Sequence, residues 1–254
     1  MHSLTIASCG ATIRYHDIPG SGRPLIFVHG LGCSSSSDYP SIAADERLKN
    51  RRRILIDLLG SGFSDKPVGF SYRVEAHADV LLDVLLELKL SRVDLVGHSM
   101  GGSIAITAAG KRPDLVSGLI LSEPNLDSGG GFFSRRIAEQ TEEMYVGAGH
   151  SQMIREAKDS GNEIWAGTMA VSSPIAVYRA ARSLIQGTEP SWRNQLERFS
   201  IPRTVLFGEL SLPDSDMERL RIHGVHVAIV PKAGHSMIWE NPSGVAGAIA
   251  EAMS

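Results

Sequence analysis

The chain has 254 residues, 43% hydrophobic and 21% charged, with a formal net charge of −3. That apolar fraction is ample for a packed core and excludes a disordered chain, while 26 glycines and 12 prolines without a period exclude a collagen-like one. The length suits one large domain, or a core domain carrying an insertion. A slightly acidic balance gives no electrostatic reason to expect nucleic acid as a partner. The one basic run, Arg51-Arg52-Arg53, reads as a solvated loop. Two cysteines, Cys9 and Cys33, cannot build a disulfide framework. The first residues lack a basic region followed by an apolar one, and no stretch approaches the ~18 apolar residues of a membrane span. The expectation is a soluble cytoplasmic protein with no membrane association.

In chain order, residues 3–8 and 11–18 alternate apolar and polar around Gly10, which predicts an antiparallel hairpin. Short apolar runs at 24–28, 53–57, 92–96, 118–122, 203–207 and 224–230 read as further strands. Between them lie helical patterns. Residues 72–89 place Val80, Leu81, Val84, Leu85 and Leu88 on one face; 100–111 is small and apolar; 242–253 opens with Asn241 as N-cap and Pro242 in the first turn. Strands alternating with helices predict an α/β fold with a mostly parallel sheet. Residues 127–199 break the alternation, with helical pattern and no strand. Long insertions in compact domains are usually functional, so 127–199 is expected to be a helical lid inserted into a core of 1–126 and 200–254.

The strongest chemical signal is Gly97-His98-Ser99-Met100-Gly101, a G-x-S-x-G between a predicted strand and a predicted helix. Such an elbow holds the serine in a strained turn, so its neighbours must be nearly free of side chains. Ser99 would then project above the sheet beside the positive end of the helix. His29-Gly30-Leu31-Gly32 follows another strand, and the N–H groups of Leu31 and Met100 are the expected oxyanion donors. A nucleophilic serine needs a base. Gly234-His235-Ser236 follows the last strand and offers His235, whereas the His98 ring, within the elbow, is expected to pack.

With these motifs the chain resembles the α/β-hydrolase family. The resemblance includes Asp57-Leu58-Leu59-Gly60-Ser61-Gly62-Phe63-Ser64, which is similar to the family's D-x-x-G-x-G-x-S loop, and it spans nearly the whole chain. It implies an eight-stranded, mostly parallel sheet flanked by helices. The chain departs from the family pattern at the triad acid, where Gly208-Glu209-Leu210-Ser211 has serine at the usual Asp position. Asp214 and Asp216 follow a few residues later. The alternative is Glu123, at the end of the strand 118–122, where some branches of the family carry the acid. Glu123 is preferred, with Asp214 or Asp216 as the competing assignment.

The resemblance implies acyl transfer to water with no metal and no cofactor. The expected substrate is a small to medium hydrophobic ester, thioester or lactone. Cleavage of a carbon–carbon bond next to a ketone is the alternative within the fold, and a slow-turnover small-molecule receptor is the alternative outside catalysis. Phe132, Phe133, Met144, Met153, Trp165, Met169 and Tyr178 are candidate lining residues in 127–199.

Overall fold

The computed structural model describes residues 1–253. Its strands are β1 His2–Ile6, β2 Ala11–Ile18, β3 Gly22–Val28, β4 Arg51–Asp57, β5 Val93–His98, β6 Val116–Ser122, β7 Arg203–Gly208 and β8 His226–Val230. They form one sheet in the order β1-β2-β4-β3-β5-β6-β7-β8. β2 pairs antiparallel with β1 and with β4, and the pairs from β4 onward are parallel. Each predicted run is a strand here. β2 alternates in burial because helices cover only part of it, whereas β5 is buried at every position, as a central parallel strand must be.

The helices used below are α1 Val74–Glu87, α2 Met100–Lys111, α3 Phe132–Ala138, α4 His150–Asp159, α5 Glu163–Ala170, α6 Pro174–Gln186, α7 Trp192–Arg198, α8 Asp216–Ile222 and α9 Pro242–Ala252. α1 and α2 pack together on one face of the sheet. α1 buries Val74, Ala78, Leu81 and Leu85, a stripe at helical spacing. α9 covers the other face with Tyr39, Ile42 and Leu48. Its N-cap, Asn241, accepts the Gly244 N–H at 2.8 Å, and Pro242 needs no donor at the first position.

Residues 51–53 correct an expectation. They are the start of β4 rather than a solvated loop. Arg51 pairs with the buried Asp94, Arg52 pairs with Asp17 at 2.6 Å, and buried Arg53 donates to the carbonyls of Ala43 and Pro19 at 2.9 and 2.7 Å. Each guanidinium has its own acceptor, so a run that looked like a solvated charge cluster sits inside a strand.

Between β6 and β7 the chain is helical, α3 to α7, with no strand among the described residues. α3 packs on α6 and α4 on α5, while α7 joins α2 of the core. There the Trp192 indole donates to Thr107 Oγ1 at 3.1 Å. Arg193 bridges Asp127 at 2.6 Å and Asp216 at 2.9 Å, tying both ends of this segment to α8. No helix among the described residues is long and apolar enough to cross a membrane.

Candidate active site

The parallel register brings three loop starts to one edge. Val28 pairs with Gly97, His98 with Ser122, and Ser122 with Leu206. Ser99 and Glu123 therefore leave adjacent strands one step past a matched pair, and the loop of residues 29–32 begins beside them. The backbone keeps pairing beyond the strands: Ser99 N–H donates to Ser122 O at 2.9 Å and Glu123 N–H to Leu206 O at 3.0 Å.

Ser99 has φ 51° and ψ −118°, outside the ordinary regions for an L-residue. Its neighbours explain why this turn closes only with glycine. A Cβ on Gly101 would stand 2.2 Å from Val28 O, and one on Gly97 would stand 2.6 Å from Gly101 O. Met100 opens α2, so its N–H is one of the first-turn donors that have no intrahelical acceptor. The N–H of Leu31 meets no protein acceptor among the described residues, while its carbonyl accepts from Trp165 Nε1 at 3.0 Å.

Two buried side chains hold this edge in shape. His29 donates through Nδ1 to Gly30 O at 2.9 Å and accepts the Leu58 N–H through Nε2 at 3.0 Å, which fixes one neutral tautomer. Burial pushes its pKa down, in keeping with that state. Asp57, at the end of β4, accepts from Ser36 N and Oγ at 2.9 and 2.7 Å and from Phe63 N at 3.0 Å. The D-x-x-G-x-G-x-S stretch is thus a self-bonded loop beside residues 29–32.

His235 lies in the loop after β8, and its Nδ1 donates to Glu123 Oε2 at 2.7 Å. The Glu123 side chain is 13% exposed and that of His235 51%. Glu123 Oε1 accepts the Gly208 N–H at 3.0 Å. Burial pushes the Glu123 pKa up, but hydrogen bonds from His235, Gly208 and Ser211 outweigh it and hold the carboxyl below its ordinary value. Serine at 211 lies near enough to help lower the Glu123 pKa, where an aspartate would set a second negative charge beside it. Glu123 itself has φ 38°, a conformation that strand-end sequence does not announce.

Asp214 and Asp216 lie elsewhere. Asp214 Oδ1 caps the N–H of Asp216 at 2.8 Å, and Asp216 pairs with Arg193. His98 is buried, its ring centroid 4.9 Å from that of His235. Burial, with the neighbouring His235, pushes its pKa down to about 3, so it adds no charge to the site.

Ser99, His235, Leu31 and Gly30 line one cavity of about 320 Å³ between the sheet edge and residues 127–199. Of the candidate lining residues, Phe132, Phe133 and Trp165 face it. Met153 and Met169 are buried, Tyr178 packs against that core, and Met144 is exposed. Sequence reasoning missed Asn125, Asn162, Leu184, Ile238 and Trp239, which also line the cavity. The only signal for Asn125 was its place two residues after Glu123, and for Trp239 its place four after His235. Among the described residues no cluster of three His, Cys, Asp or Glu could hold a metal.

The model of the alpha/beta hydrolase fold family matches residues 23–166. A 2-hydroxy-6-oxo-2,4-heptadienoate hydrolase of Pseudomonas putida is 36% identical over 114 residues, 44% of this chain and 41% of that protein. Lipase 1 of Psychrobacter immobilis is 36% identical over 141 residues, 55% of this chain and 42% of the relative. The matched region therefore spans less than half the length of these curated relatives. An esterase from Thermogutta terrifontis superimposes with a TM-score of 0.80 at 27% identity, covering 99% of this chain and 97% of that one. The fold, the matched motifs and these similarities together establish that the chain belongs to the α/β-hydrolase fold family.

Proposed function

We propose that this protein is a serine hydrolase that cleaves a small to medium hydrophobic ester, thioester or lactone through an acyl-serine intermediate. The observation that carries the reading is the 2.7 Å bond from His235 Nδ1 to Glu123, with His235 and Ser99 lining the same cavity. A histidine held through Nδ1 by a carboxylate has Nε2 available as a base. Ser99 Oγ attacks the substrate carbonyl and gives its proton to His235. The developing oxyanion rests on the N–H groups of Leu31 and Met100. His235 returns the proton to the departing alkoxide or thiolate, then takes one from water as its oxygen attacks the acyl carbon, and gives that proton to Ser99 Oγ as the acid is released.

Residues 127–199 act as the lid, since Phe132, Phe133, Trp165 and Leu184 supply one side of the cavity. That side is apolar and aromatic, and no Arg or Lys lines the cavity among the described residues. An uncharged acyl group fits such a surface better than a carboxylate-bearing dienoate of the kind named for the Pseudomonas relative.

The test is steady-state hydrolysis of nitrophenyl esters of increasing acyl length by the wild type and Ser99→Ala, with fluorophosphonate labelling alongside. Saturable turnover lost in Ser99→Ala supports the reading. Absence of both turnover and labelling would overturn it in favour of a small-molecule receptor.

A further inference from the structure

We propose that Trp165 is a positioning residue for the oxyanion loop: a side chain of the lid segment that fixes the peptide group directly after the one from which Leu31 donates. The proposal rests on the serine-hydrolase reading above. Trp165 sits on α5, 134 positions from Leu31 in sequence, yet its indole N–H donates to Leu31 O at 3.0 Å. Both residues are buried, at 5% and 9% exposure, so water does not compete for this bond. The Leu31 carbonyl also accepts from Cys33 Sγ at 3.6 Å, a weak donor, which leaves the indole as its strong partner.

The next residue is gripped from the same helix. Gly32 has φ +69°, and a Cβ there would stand 2.2 Å from Met169 Sδ and 3.2 Å from Trp165 Nε1. Thus α5 lies directly on the turn at Leu31 and Gly32, with no room between them. The loop contributes no strand or helix of its own to hold Leu31 in place. His29 anchors its start through Gly30 and Leu58, and Trp165 anchors it after the donor. The donor N–H lies in the Gly30–Leu31 peptide, which His29 holds through Gly30 O, and the indole holds the next peptide, Leu31–Gly32, so Leu31 is clamped on both sides of its Cα and its N–H cannot swing away as the turn moves.

The same indole faces the cavity and lies 4.3 Å from the ring of Phe133, centroid to centroid, at 36°. One side chain therefore forms cavity wall with its ring and holds the catalytic loop with its N–H. A wall residue acts on ground state and transition state alike; a positioning residue for an oxyanion donor acts on the transition state. Those two roles separate in the kinetics.

The experiment compares wild type, Trp165→Phe, and a protein carrying benzothienylalanine at position 165, which puts sulfur in place of the N–H and keeps the indole shape. The readouts are kcat and KM for the nitrophenyl ester turned over fastest, and the inhibition constant of an aryl trifluoromethyl ketone whose Ser99 adduct needs the oxyanion donors. The expected result in both variants is a fall in kcat of about tenfold, KM within about twofold, and a matching loss of ketone affinity. If benzothienylalanine leaves kcat and ketone affinity at the wild-type level, the bond has no positioning role and the proposal is overturned, whatever Trp165→Phe does. Failure of the underlying reading shows separately, as wild-type protein that neither turns over ester nor is labelled at Ser99.

Discussion

His235 Nδ1 and Glu123 Oε2 are 2.7 Å apart although 112 positions separate the residues. The contact follows from sheet order. β6 and β8 flank β7, so a carboxylate leaving β6 must cross the end of β7 to reach the loop after β8. Glutamate has the reach, and the Gly208 N–H at the end of β7 steadies its second oxygen on the way, at 3.0 Å.

Glu123→Gln keeps the shape and removes the charge that orients His235 and stabilises its imidazolium. We expect kcat for ester hydrolysis to fall on the order of 10³-fold, and Asp214→Asn to stay within about twofold, since Asp214 accepts the Asp216 N–H and not His235. Equal losses in the two variants would remove Glu123 from the proposed triad. A stability signature accompanies this. The Glu123 pKa is lower in the folded chain than its ordinary value, so its stabilisation is present above the ordinary carboxylate range and is lost as pH falls through the lower folded value. Urea midpoints of wild type and Glu123→Gln should therefore converge toward acid pH.

The elbow makes a steric prediction. A Cβ at Gly101 would meet the Val28 carbonyl at 2.2 Å, a backbone atom that cannot swing aside. Gly101→Ala is expected to cost more than about 3 kcal/mol by urea denaturation. Gly69→Ala is the control, because nothing lies within 4 Å of its Cβ position; it should fall within about 0.5 kcal/mol of wild type. Similar midpoints for both variants would contradict the packing described around Ser99.

Much of this was legible in the sequence because local pattern and global position agree. The two alternating segments and the six apolar runs are the eight strands, and G-x-S-x-G lies at the join of β5 and α2. The elbow could be read because Gly97 and Gly101 have a steric reason that sequence carries. Other features depend on distant partners and left no local trace. Arg51 reads as a solvated charge until Asp94 on β5 is seen beside it. Asn125 and Trp239 are ordinary loop and helix residues until the sheet order brings them to one cavity. Trp165 was a candidate wall residue, but its bond to Leu31 joins α5 to a loop that only tertiary packing brings near.

Arg193 supplies a prediction about how the helical segment is held. Its side chain is 9% exposed and bridges Asp127 and Asp216, which are themselves 49% and 34% exposed. Both carboxylates can rehydrate when the arginine is removed, so the loss is moderated by solvent. Arg193→Met should cost about 1–2 kcal/mol. In a double-mutant cycle with Asp216→Asn, the coupling should be positive and should shrink as salt rises. Zero coupling at low salt would mean that the bridge does not hold α7 to α8.

Asp38 gives the sharpest pH prediction. It is 3% exposed; Oδ1 accepts from Trp239 Nε1 at 3.2 Å, and Oδ2 is buried without a partner. Burial pushes its pKa up to about 7, with the hydrogen bond from Trp239 opposing the rise and the charge of Asp57 adding to it. The sign is opposite to that of Glu123. Below the ordinary Asp pKa both folded and unfolded chains are protonated at this position, and it costs nothing. From there up to about 7 the folded chain holds a proton that the unfolded chain has lost, so stability declines as pH rises. Asp38→Asn removes the titration and keeps an acceptor for Trp239. Relative to wild type, the variant should gain stability between about pH 5 and pH 8.5, by at most about 3 kcal/mol for a shift of this size. Denaturant midpoints at those two pH values decide it: a wild-type-minus-variant difference that is constant across the range would show that Asp38 is ionised in the fold throughout, its charge compensated by contacts other than that of Trp239.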